Sequence, residues 1–114
     1  MRSVGDVLLV RLNETRTGAP KLRPAIVLAV LPGEFQTLLM CGLSSEDRSV
    51  VDGWDEPLIP GTDEFRSAGL HRQSYARLSF LHALPEHEIV GRVGAVPEHF
   101  IRQLRRRLAE HLGE

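Results

Sequence analysis

A single cysteine, Cys41, leaves no partner for an intrachain disulfide, and its apolar neighbours mark it as a core residue suited to a reduced compartment. Long apolar stretches are missing as well. The longest, residues 24–31, spans eight positions, where a helix needs ~20 to cross a bilayer. The start Met1-Arg2-Ser3-Val4-Gly5-Asp6 places a charge and a glycine where a secretory signal keeps its apolar stretch, so a cytoplasmic protein without membrane contact is expected. A net charge of -1 and a pI near 6.5 exert no overall pull on polyanions, so binding of nucleic acid would require a local basic cluster. His82 and His87 have no further ligands at zinc-binding spacing, and neither a metal site nor a cofactor is expected. Internal repeats and low-complexity tracts are absent.

What is present fits one modest core: 114 residues, 42% hydrophobic, read as a single domain over 1–114. Three early runs, at 6–12, 23–31 and 37–43, are short, rich in Val, Ile or Leu, and bounded by turn formers, which predicts β-strands. A polar loop with Gly18 and Pro20 separates the first two. Pro32-Gly33 predicts a hairpin turn between the second and third. From 44 to 73 only 54–59 has strand character, and a segment so long without regular structure is usually functional or disordered. Residues 74–84 alternate, with Ala76, Leu78, Phe80 and Leu84 on one face and Tyr75, Arg77 and Ser79 on the other. A last strand at 89–96 carries Gly91 and Gly94, which invite a bulge or close backbone approach. Pro97 suits the first position of a helix running to about Leu112, with Ile101, Leu104, Leu108 and Leu112 as its apolar stripe. Arg102, Arg105, Arg106 and Arg107 read as its solvated side, with RNA contact the alternative.

The hairpin turn decides which side chains meet across the sheet. A two-residue turn makes Ser44 a diagonal neighbour of Arg23, and a four-residue turn sets the two directly opposite; an odd length sends them to different faces. On one face, a guanidinium with five fixed N–H donors and a hydroxyl suit a phosphate undergoing displacement. Pro24 restricts the backbone of Arg23 to extended conformations. Lys21 is the only lysine among 14 basic residues, a skew that suits forked phosphate recognition and that GC-biased coding also produces. Trp54 suits either an anchor in a core or interface, or stacking on an unpaired base.

The runs "GDVLLVRL", "KLRPAIVLAV" and "LLMCGLSS", in this order, together with "AGLHRQSYARLSFLHAL" and the terminal helix, resemble the MazF/PemK toxin family of type II toxin-antitoxin systems over nearly the whole chain. The resemblance implies a mainly β (α+β) fold, an SH3-like small β-barrel of the PemK/CcdB type with a C-terminal α-helix. It further implies a homodimer, a cognate antitoxin, and cleavage of single-stranded RNA without metal, through attack of the 2'-hydroxyl and a cyclic phosphate product. Arg23 matches the family's catalytic arginine, Ser44 stands where many members have threonine, and Arg77 matches a second arginine of PemK-like members. Ser79 replaces a carboxylate proposed as general base, which leaves the proton acceptor open between substitutes such as Glu14 and His71. Asn13, Glu14, Lys21, Ser45, Arg48, His71 and Ser79 are expected to contact substrate. The alternatives are an RNA- or protein-binding module on the same fold and a gyrase poison of the CcdB type, against which the tail lacks a terminal tryptophan.

Overall fold

The branched and aliphatic runs form strands β1 (Asp6–Asn13), β2 (Pro20–Val30), β3 (Thr37–Ser44), β4 (Glu56–Leu58), β5 (Ser74–Pro85) and β6 (Ile89–Ala95) in the computed structural model, which describes residues 2–13 and 18–113. Among the described residues two α-helices accompany them, α1 (Asp63–Ala68) and α2 (Glu98–Leu112). All strand pairs are antiparallel, in the order β4-β5-β3-β2-β1-β6. This is the mainly β, α+β architecture with a C-terminal helix that the sequence led us to expect.

Both faces of the sheet are apolar and both are buried. On one, Val7, Ile26, Leu28, Cys41, Leu43 and Leu78 pack against Phe100, Ile101, Leu104 and Leu108 of α2. Cys41 is a core residue, and burial pushes its thiol pKa up to about 12. On the other, Leu8, Val10, Ala25, Val27, Leu38 and Met40 form a second cluster edged by Leu12, Leu84 and Ile89. Every described member of that cluster sits on a strand, so the sheet buries it by curling over itself. The helical turn Glu86–Glu88 joins β5 to β6 and draws the two sides of the curl together.

Helix α2 begins one residue later than predicted: Pro97 is its N-cap, with ψ 162 and no side-chain capping bond, so packing must hold the helix in place. Its buried stripe also shifts. Phe100 joins Ile101, Leu104 and Leu108, while Leu112, in the last turn, stays 72% exposed. Arg107 leaves the solvated face expected for it and pairs with Glu56 at 2.8 Å, tying α2 to β4. Helix α1 was not predicted, although its signals are in the sequence. Thr62 caps it by accepting from the Phe65 N–H at 3.3 Å, Asp63 and Glu64 fill its first turn, and Gly69 ends it in the left-handed region at φ 76. The close approach foreseen for Gly94 is what seats α1 on β6: a Cβ there would lie 2.4 Å from the Ser67 carbonyl oxygen.

Candidate active site at the open end of the hairpin

The connection between β2 and β3 has an odd length. Leu31 N–H donates to Thr37 O at 2.8 Å, so residues 32–36 form a five-residue loop, longer than the turns considered from sequence. By itself this would send Arg23 and Ser44 to opposite faces. A bulge reverses the outcome. Ala29 pairs with Leu39 but Val27 pairs with Met40, so Leu28 is an extra residue in β2 that shifts the register by one. Ala25 then faces Gly42, and continuing by two residues sets Arg23 opposite Ser44, on the face of Ala25, Val27 and Met40.

A second irregularity opens the space above that face. Cys41 pairs with Leu81 and Gly42 with Arg77, so Leu78, Ser79 and Phe80 lie outside the ladder between β3 and β5. The result is a groove of about 680 Å³, within the usual size range of ligand sites. Gly42 lines it together with Arg23, Ser44, Ser45, Glu46, Ser79, Phe80 and His82. Having no side chain, Gly42 leaves room between the Arg23–Ser44 end and His82, which stands opposite Met40 on β5.

Arg23 is exposed, and among the described residues no carboxylate pairs with it. An unpaired guanidinium over a groove favours an anionic ligand. Ser44 is oriented by its own loop: its Oγ accepts from the Glu46 N–H at 3.1 Å, which leaves the hydroxyl proton for a further acceptor. The Glu46 carboxylate accepts from Arg48 Nε at 3.3 Å, and these hydrogen bonds hold its pKa below the usual value. Glu46 is therefore an ionised, weak base. Among the described lining residues, His82 supplies the imidazole.

Arg77 does not line the groove. It is buried, not solvent-facing as the alternation predicted, and its Nε donates to Asp55 Oδ2 at 3.2 Å while Nη2 donates to Ser49 O at 3.1 Å and to Ser49 Oγ at 3.0 Å. Asp55 also accepts from the Val51 N–H at 2.9 Å and the Leu78 N–H at 3.0 Å. One buried carboxylate thus holds the 49–55 loop and the irregular part of β5 together. Ser79 lines the groove, but its Oγ accepts from Trp54 Nε1 at 2.9 Å. Trp54 is correspondingly half-buried against the core, with His111 5.3 Å from its ring.

Of the other expected substrate contacts, Ser45 lines the groove and Arg48 reaches it only through Glu46. Lys21 is exposed opposite Leu12 and His71 is exposed after α1, and neither is part of the lining; the backbone of Asn13 closes β1 opposite Pro20. Glu14 lies outside the described residues. Glu46, His82, Phe80 and Asp55 were missed. A second hollow, of about 400 Å³, lies beside α2 between Val4, Val96, Glu98, Ile101, Arg102 and Arg105. No helix among the described residues is long and apolar enough to cross a membrane, and no group of three or more His, Cys, Asp or Glu side chains among them is placed to hold a metal ion.

Comparison with known proteins agrees with this fold. Residues 3–112 match the family model described as PemK-like, MazF-like toxin of type II toxin-antitoxin system. The chain belongs to that family. A solved structure of the Mycobacterium tuberculosis toxin MazF-mt6 superposes with a TM-score of 0.68, covering 95% of this chain and 96% of that one at 14% identity. At that identity the likeness establishes the shared fold. No curated protein matches the chain.

Proposed function

We propose that this family member is an endoribonuclease that cuts single-stranded RNA without a metal ion, acting in the cytoplasm as a homodimeric toxin neutralised by an antitoxin. The observation that carries the proposal is the Arg23 guanidinium, without an ion-pair partner among the described residues, on the same face as the Ser44 hydroxyl over a groove floored by Gly42. A phosphodiester between them receives forked N–H donors from Arg23 and one O–H donor from Ser44. The 2'-oxygen attacks the adjacent phosphorus and the bond from phosphorus to the 5'-oxygen breaks, leaving a 2',3'-cyclic phosphate and a 5'-hydroxyl. Negative charge grows on the phosphoryl oxygens during this step, and a fixed guanidinium stabilises it more in the transition state than in the ground state.

The proton of the 2'-hydroxyl needs an acceptor, and the departing 5'-oxygen takes one from water. A guanidinium stays protonated and has no site to accept that proton, and Glu46 is too weak a base. We assign the role to His82, which lines the same groove. Arg77 becomes a positioning residue, with no contact to the phosphate. His82→Gln is expected to lower kcat roughly 100-fold with KM little changed. Single-turnover cleavage in excess EDTA, set beside binding of an oligonucleotide lacking 2'-hydroxyls, checks this. Equal kcat in both proteins would remove His82 from the chemistry.

A binding module that holds RNA without cutting it is the second reading. It is favoured by Ser79, which stands in place of a carboxylate and is committed to Trp54. Replacing the 2'-hydroxyl by hydrogen along the whole RNA separates the two. The enzyme loses all cleavage and keeps its affinity, whereas the module binds both strands and cuts neither.

A further inference from the structure

Phe80 is a large apolar side chain left 42% exposed on the groove, in a chain whose aromatic content is only 5%. Its alternation with Leu78 predicted a core position. The three unpaired residues of β5 carry it out of the core instead. One side of the ring is backed by the buried guanidinium of Arg77, whose Cζ lies 4.4 Å from the ring centroid. The two residues just before it are each held: the Leu78 N–H donates to Asp55, and the Ser79 hydroxyl accepts from Trp54 Nε1. At its base is Gly42, where an added Cβ would already stand 3.4 Å from Phe80 Cβ. The ring is thus held by its surroundings yet stays open to the groove.

Its position relative to the anion site is set by the ladder. Gly42 precedes Ser44 by two residues on β3, about 7 Å along the strand, so Phe80 stands one such step from the Arg23–Ser44 end. That is the scale on which a base hangs beside its own phosphate. Resting on the RNA reading above, we propose that Phe80 is the stacking platform for the unpaired base next to the scissile phosphate, and so a substrate-binding residue of the site. Every base has a π-face, so the platform grips the strand and fixes its position along the groove, while the neighbouring polar groups select the base. The Arg77–Asp55 pair acts on substrate through this ring.

The test uses a mixed-sequence single-stranded oligonucleotide without 2'-hydroxyls, titrated into the full chain and followed by fluorescence anisotropy. Phe80→Ala is expected to weaken binding roughly 5- to 150-fold. On cleavable RNA it is expected to raise KM by a similar factor with kcat nearly unchanged, and Phe80→Trp is expected to restore both. Unchanged thermal melting shows that the variants are folded. Phe80→Ala that binds as tightly as the parent, while the parent cleaves RNA, overturns the platform and leaves the enzyme standing. A parent that neither binds nor cleaves overturns both. Conversion of a dimer to a monomer by Phe80→Ala, seen by sedimentation, would make the ring a subunit contact and also overturns the platform.

Discussion

Arg23→Ala is expected to lower single-turnover RNA cleavage by about 10³-fold and to leave the melting temperature unchanged. The two halves of that result have different causes. Arg23 is exposed and makes no ion pair with any described residue, so the folded chain loses little when it is shortened. In the reaction its forked donors meet charge that develops only in the transition state, and no other arginine or lysine among the described residues lines the groove to replace them. Arg23→Lys should recover only part of the rate, because an ammonium keeps the charge without the planar fork. Cleavage by Arg23→Ala within a few fold of the parent would show that the scissile phosphate binds elsewhere.

Asp55→Ala is expected to destabilise the fold by about 3–5 kcal/mol, a large share of the ~5–15 kcal/mol that holds a domain folded. Side-chain exposure in the Arg77–Asp55 pair is 5% and 1%, so the loss leaves a buried guanidinium without its counter-charge and the Val51 and Leu78 N–H groups without their acceptor. Urea denaturation measures the loss. Asp55→Leu combined with Arg77→Leu should cost less than Asp55→Ala alone, because the double change leaves no buried charge unpaired. Any residual cleavage by Asp55→Ala should be weak, since the 49–55 loop and the irregular part of β5 lose their common anchor. A loss below about 1 kcal/mol would show that solvent reaches the pair.

The strands were legible because their apolar runs are short and bounded by Gly, Pro and Asn, and α2 because its stripe repeats at helical spacing. The hairpin is more instructive. Arg23 and Ser44 were expected on one face for an even turn, yet the turn is odd and the bulge at Leu28 restores the face. Period alone cannot show a bulge, because an extra residue in a run of Ile, Val, Leu and Ala leaves the pattern uniformly apolar. Arg77, Phe80 and His82 were misjudged for a related reason. Strict alternation fails across the three unpaired residues of β5, so Arg77 is buried, Phe80 is exposed, and His82 turns toward the groove. Asp55 left no local signal at all, because its partners lie on a loop and on a strand distant in sequence. Helix α1 could have been found from Thr62, Asp63, Glu64 and Gly69, but six residues fall below the length at which periodicity is informative.

The placement of substrate can be read directly from amide NMR shifts of the full chain titrated with a single-stranded oligonucleotide lacking 2'-hydroxyls. The largest changes should fall at Arg23, Gly42, Ser44, Ser45, Glu46, Phe80 and His82, around one groove. Changes confined to Arg102, Arg105 and Arg106 on α2, with those groove residues unmoved, would contradict the assignment and move the RNA to the helix.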